Sequence, residues 1–219
     1  MKLNWNHFKH KKIVINWKKM PDLIRINLST SEITHESIES GNPLELYAGR
    51  ALSSKIIADE IPPLCDPLSP ENKLVFASGF LGGTIAPNSG RISIGAKSPL
   101  TGGVKESNVG GRAPAFLAQQ DIRAIVLEGA LKNWAIIKVA DGGIEIIDAS
   151  PYVGLNNYIL VQKLQAEFGS RIGAFTIGTA GERLYRFASI GSMDLEGYPS
   201  RHAGRGGMGT IMGAKKVKA

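Results

Sequence analysis

Apolar residues along this chain fall mostly in short alternating or continuous runs, and at helical spacing in only a few places. Residues 23–28 and 32–38 read as a strand pair around the polar Ser29, Thr30 and Ser31. Residues 73–77, 91–95, 124–129, 134–139 and 143–147 read as further strands, with Asp141-Gly142 a hairpin signal between the last two. Residues 43–61 place Leu46, Ala48, Ile56 and Ile57 at helical spacing and stop before Pro62 and Pro63. Residues 113–119 open a helix, with Pro114 tolerated in its first turn. Residues 157–168 form an amphipathic helix whose broad face carries Ile159, Leu160, Val161, Leu164 and Phe168. Residues 171–177 and 185–190 return to strand, and 210–216 can open a last helix. Strands outnumber helices without a regular βαβ alternation. The pattern therefore predicts an α+β fold, a β-sheet-based domain with a few packed helices.

Composition narrows this picture without redrawing it. With 43% hydrophobic and 21% charged residues, the 219-residue chain matches a globular domain able to bury an ordinary core. No run approaches the ~20 apolar residues of a membrane span, and the lysine-rich start lacks a signal-peptide core, so neither membrane nor secretion is expected. One cysteine, Cys65, provides no disulfide framework and fits a reducing cytoplasm. It cannot by itself ligate a four-iron cluster, and His7, His10, His35 and His202 lack zinc-ligand spacing. The net charge of +7 is concentrated at the two ends. Residues 1–20 carry six lysines and no acid, and Lys215, Lys216 and Lys218 lie at the other end; the remaining 17 basic and 19 acidic residues nearly balance. That distribution lacks the basic stripe of a nucleic-acid face. Residues 1–21, with Trp5, Phe8 and Trp17 among lysines, read as a basic N-terminal extension, and residues 22–219 as the folded domain.

The chemistry concentrates in Ser200-Arg-His-Ala-Gly-Arg-Gly-Gly-Met-Gly209, two arginines and four glycines directly before a helix start. Guanidinium forks fit phosphate oxygens two at a time, glycine lets backbone approach a ligand, and a helix N-terminus favours anions. Two familiar motifs come close and fail. Gly204-x-Gly206-x-x-Gly209 follows a loop-like stretch with no acidic residue ~20 positions on, and Ala96 separates Gly95 from Lys97 where a phosphate loop needs them adjacent. A second Gly/Arg element, Asn88-Ser-Gly-Arg91 and Ser107-Asn-Val-Gly-Gly-Arg112, also feeds a helix start, about one hundred residues earlier. Two such turns suit two phosphates, or one ligand gripped from two sides.

An ordered set of segments then makes the chain resemble the N-terminal domain of the aldehyde ferredoxin oxidoreductase family, tungsten enzymes with two pterin cofactors. The set runs through Ile24-Arg-Ile-Asn-Leu-Ser-Thr30, Asp66-Pro-Leu-Ser-Pro-Glu-Asn-Lys-Leu74, Ala86-Pro-Asn-Ser-Gly-Arg91, Lys97-Ser-Pro-Leu-Thr-Gly102 and Asn108-Val-Gly-Gly111. It continues through Ala124-Ile-Val-Leu-Glu-Gly129, Gly178-Thr-Ala-Gly-Glu182 and Ala203-Gly-Arg-Gly-Gly207 to Met212-Gly-Ala-Lys-Lys216. The resemblance implies a base for a tungsten (or molybdenum) bis-pterin cofactor, in pseudo-twofold halves. Arg91 would contact one pterin; Asn108 and Gly110 would form a backbone-binding turn; Arg201, Ala203, Gly204 and Arg205 would form the second. Backbone carbonyls of Asn108 and His202 would hold a Mg2+ ion between the pterin phosphates. His202 stands where the family has Ala, either as an added donor or as a tolerated surface residue. No catalytic side chain is expected here. The 4Fe-4S cluster and the residues around the metal would belong to C-terminal domains or a partner subunit, with ferredoxin as electron acceptor for aldehyde oxidation; a homodimer is compatible. The alternative is a non-catalytic phosphate- or pterin-binding assembly module.

Overall fold

A computed structural model describes residues 22–140 and 143–219. The basic extension and the Asp141-Gly142 turn lie outside the described residues. The central element is a six-stranded sheet built from β1 (Asp22–Asn27), β2 (Glu32–Ser37), β3 (Leu74–Ser78), β4 (Arg91–Lys97), β5 (Val104–Gly110) and β6 (Ile122–Glu128), in the order β2-β1-β6-β3-β4-β5. β1 and β6 pair in parallel, and every other neighbouring pair is antiparallel.

Burial on both faces explains the continuous apolar runs of β3 and β6. One face carries Ile24, Ile26, Phe76, Ile94, Ile125 and Leu127 in the main core, and the other carries Leu23, Val75, Ala77, Ala124 and Val126. Helix α1 (Gly49–Glu60) covers the second face with Leu52, Ile56 and Ile57. It starts later than the predicted 43–61: residues 42–47 fold into successive turns, and Leu46 is exposed. The first face is covered by α2 (Arg112–Gln119), by α5 (Met208–Ala214) and by the hairpin of β7 (Ala135–Ala140) and β8 (Gly143–Asp148).

Helix α3 (Asn157–Phe168) has the predicted bounds, capped by the Asn156 side chain, which accepts from Ile159 N–H at 3.0 Å. Its buried line is Leu160, Val161 and Leu164, while Ile159 faces outward. The strands predicted at 171–177 and 185–190 shrink to β9 (Phe175–Thr176) and β10 (Ile190–Ser192), with α4 (Thr179–Glu182) between them. The Gly209 N–H bonds to Ala188 O and the Tyr185 N–H to Ala180 O, so this backbone serves helices instead of a long ladder. Both strands join β11 (Arg201–Ala203) in a three-stranded antiparallel sheet, order β11-β10-β9.

The C-terminal lysines are not a solvated tail. Lys215 and Lys218 are 1% and 0% exposed. Lys215 Nζ donates to the carbonyls of Asn72 and Gly129, and Lys218 Nζ to the carbonyls of Leu155 and Ile177 and to the Glu182 carboxylate. Lys216 Nζ sits 4.9 Å from the Trp134 ring centre.

Candidate functional site

Two elements a hundred residues apart meet at the edge of the main sheet. The N–H of Arg205 donates to Ser107 Oγ at 3.1 Å, and Ser98 Oγ donates to Gly206 O at 2.8 Å. Asn108 and Gly110, expected in a turn, instead lie within β5, the sheet's edge strand. Arg201, His202 and Ala203 likewise form the edge strand β11, not a turn. Gly204, Arg205, Gly206 and Gly207 then lead into α5, with Gly206 and Gly207 both at φ +74°. Any Cβ on Gly207 would strike the carbonyl oxygen of Arg186, so only glycine closes this turn.

Arg91 opens β4 beside this junction. Its Nε donates to Asn108 Oδ1 and its Nη2 to Asn108 O at 3.1 Å, which fixes the guanidinium along the edge strand. Arg91, Arg201 and Arg205 are all exposed, and among the described residues none pairs with a carboxylate. Glu106, two positions from Asn108, is held by Arg50 at 2.9 Å and by Ser93 Oγ at 2.9 Å. Ala203 is buried and contributes backbone, whereas the Cβ position of Gly204 faces open space. His202 is exposed, with Nδ1 3.2 Å from Ser189 Oγ.

At each of the two helix starts, one backbone donor is already used within the fold. Arg112 N–H, opening α2, donates to Met193 O at 2.8 Å, and Gly209 N–H at the start of α5 donates to Ala188 O at 2.9 Å. Those two donors are committed to the fold, and the guanidinium groups and loop backbone add further anion-facing chemistry. The Arg112 side chain is structural too, holding the carbonyls of Leu195 and Ser170. The rejected motifs fall on firmer ground here. Lys97 is buried, with Nζ on the carbonyls of Pro63 and Cys65, and Cys65 is a buried free thiol. Residues 195–200 form the loop expected before this motif, and the short β11 that follows is antiparallel to β10, so among the described residues no βαβ unit leads into Gly204.

Sequence reasoning missed the brace beneath Arg201. Asp194 Oδ1 accepts from the N–H of Glu196 and Tyr198, and Oδ2 accepts from Ser200 Oγ. The Ser200 hydroxyl and these backbone donors hold the Asp194 carboxyl below its usual range. The spacing Asp194-x-x-Gly197 was the available signal, since an aspartate at the start of a turn bonds the backbone beyond it. The loops leading into the arginines expose large apolar side chains: Ile85 at 83% before Arg91, Leu195 at 78% before Arg201, and Phe187 at 73% close by. Among the described residues there is no cluster of three metal-ligating side chains and no helix long and apolar enough to cross a membrane.

Comparison with known proteins bears on the family. Residues 23–219 match the family model for the aldehyde ferredoxin oxidoreductase N-terminal domain. The chain is 40% identical over 205 residues to the tungsten-containing aldehyde ferredoxin oxidoreductase of Pyrococcus furiosus, covering 93% of this chain and 33% of that protein. The corresponding Thermococcus kodakarensis protein is 38% identical over the same shares. A Pyrococcus furiosus aliphatic sulfonate oxidoreductase WOR-like subunit is 27% identical over 90% of this chain and 33% of its own length. Among solved structures, the active-site complex BamBC of benzoyl coenzyme A reductase with 1,5-dienoyl-CoA superposes with a TM-score of 0.83 at 29% identity, over 91% of this chain and 30% of that one. The chain thus spans about a third of the length of these relatives.

Proposed function

The chain belongs to the aldehyde ferredoxin oxidoreductase family, and we propose that its Arg91–Asn108–Arg205 edge holds the phosphate ends of a tungsten bis-pterin cofactor. The observation that carries this reading is three exposed arginines that, among the described residues, have no carboxylate partner, near the junction where Arg205 N–H meets Ser107 Oγ. Phosphate fits that donor set: guanidinium groups supply paired charge-assisted hydrogen bonds, and open space at Gly204 leaves room for close approach. Arg91 and Arg205 grip phosphate oxygens, Arg201 adds charge, and Gly110, Ala203 and Gly204 offer backbone. When bound, the cofactor supplies the two-electron redox chemistry, and this domain positions it.

A Mg2+ ion between the carbonyls of Asn108 and His202 is part of the proposal and carries a condition. Asn108 O already accepts from Arg91 Nη2. Metal binding there requires the guanidinium to release that carbonyl and turn to phosphate, since two cations at one oxygen repel. The exposed Ile85, Phe187 and Leu195 suit burial beneath the rest of a longer enzyme. We assign that remainder, whether C-terminal domains or a partner subunit, the 4Fe-4S cluster and the contact with ferredoxin. The whole acts as a cytoplasmic aldehyde oxidoreductase, and this domain alone is inactive. The aldehyde assignment follows the 40% identical relative in preference to the 27% identical sulfonate enzyme subunit.

The test is metal and pterin analysis of protein purified from its native host, alongside intact mass. Tungsten with two pterins per metal, in a species well above 23.5 kDa, supports the reading. An isolated 23.5 kDa chain free of metal and pterin refutes it in favour of a non-catalytic assembly module.

A further inference from the structure

Residues 216–219 run alongside β7. Ala135 N–H donates to Lys216 O at 2.9 Å, Lys218 N–H to Ala135 O at 2.8 Å, and Ile137 N–H to Ala219 O at 3.0 Å. Val217 bridges Ala135 in parallel. Along one strand of an antiparallel hairpin, successive N–H groups alternate between the partner strand and the outer edge. Ala135 and Ile137 donate outward from the β7–β8 hairpin, so Val139 presents its N–H to the same edge. No described residue beyond the hairpin accepts from it.

That edge borders a groove of about 1100 Å3, lined among others by Phe116, Leu127, Phe168, Phe175, Val139 and Ala219. An unpaired strand edge beside an apolar cleft is a template for one more strand: main-chain bonds give affinity and the cleft takes alternate side chains. The direction is already set, because the 216–219 ladder runs parallel to β7 toward the groove. The relatives supply the material, since about two thirds of their length lies outside the part this chain matches.

We propose that the groove seats a further strand, formed by the polypeptide that follows this domain in the longer enzyme. It continues parallel to β7, bonds to Val139 N–H, and places apolar, β-branched side chains against Phe168 and Phe175. The inference rests on the reading of this chain as the N-terminal part of a larger enzyme. The strand would tie that remainder to the β7–β8 hairpin through backbone bonds.

Residue-resolved amide hydrogen exchange on the full-length protein tests it, with the chain ending at Ala219 as comparison. The expected result is a Val139 amide about 100-fold slower in the full-length protein, as protected as Ile137. A Val139 amide that exchanges freely there, while Ile137 stays protected, overturns the proposal. So does a native chain that ends at Ala219. Protection already present in the chain ending at Ala219 also overturns it: loss of that protection on deleting residues 1–21 would assign the groove to the extension, and loss on dilution to a second copy. Val139→Pro removes the donor without touching the hairpin ladder, so it should lower the Tm of the full-length protein by more than that of the shorter chain, where only the packing of Val139 is lost, and an equal loss in both would overturn the proposal. Neither readout depends on tungsten or pterin, so cofactor-free protein would defeat the functional reading and still report on the strand.

Discussion

Two sets of cations in this domain have opposite fates. Arg25, Lys73, Lys215 and Lys218 are withdrawn from solvent and matched to acceptors. Arg25 bonds Glu36, Glu60 and Glu128, while Lys73 bonds Glu60 and Glu128. Burial raises the Glu60 and Glu128 carboxyls, and hydrogen bonds from Arg25 and Lys73 more than offset it, leaving both below the usual range. Arg91, Arg201 and Arg205 are exposed, and among the described residues none forms an ion pair with a carboxylate. A cation withdrawn from solvent and bonded to several protein acceptors holds the fold, whereas an exposed one without a carboxylate partner can hold a ligand. Substitutions should therefore separate stability from binding along this line.

The largest effect is expected at the buried pair. Glu182→Ala leaves the Lys218 ammonium without its carboxylate, and stability in denaturant should fall by about 3–5 kcal/mol. A loss below about 1 kcal/mol would mean that the carbonyls of Leu155 and Ile177 suffice, and the two sets of cations would differ less than argued.

On the other side, Arg91→Ala and Arg205→Ala should each weaken phosphate contact by about 1.5–3 kcal/mol. Their unfolding free energy should stay within about 0.5 kcal/mol of the parent, as for exposed sites generally. Pterin retention measured beside thermal unfolding reads both quantities, and a variant that unfolds early would move its arginine into the structural set.

A smaller effect separates the sets by pH. Burial pushes the Lys215 amine down to about 7 from its ordinary 10.5. Between those values the unfolded chain binds a proton that the folded chain does not, so this group makes stability rise with pH from about 7 to about 10.5. Below about 7 both states carry the proton and the contribution is constant at its least favourable. The difference between parent and Lys215→Met unfolding curves across that window isolates the slope; a flat difference would show the amine charged in the fold. The smallest change is expected from His202→Ala, which removes only an exposed contact to Ser189 and should leave pterin retention unaltered if the ring is a tolerated surface residue.

Much of the main sheet was legible, because β1, β3, β4 and β6 are apolar runs bounded by polar turns. The edge strands β5 and β11 were not. Asn108, Gly110, Arg201 and His202 look like turn residues because edge strands need little apolar content, and their extended form depends on partners far away in sequence. The same blindness made Lys215 and Lys218 look like a charged tail. Their acceptors, Asn72, Gly129, Leu155, Ile177 and Glu182, lie 36 to 143 positions away, where no local pattern reaches. For the candidate site, residue types were legible and geometry was not: glycines and arginines marked the place, but nothing local showed that the Met193 and Ala188 carbonyls each take one donor from the helix starts.

The most direct measurement is tungsten and pterin content of Arg91→Ala/Arg205→Ala protein produced in the native host, with thermal unfolding recorded on the same sample. The account predicts a folded protein of parental Tm that has lost tungsten and pterin together. A folded protein that keeps its full complement of both would contradict it.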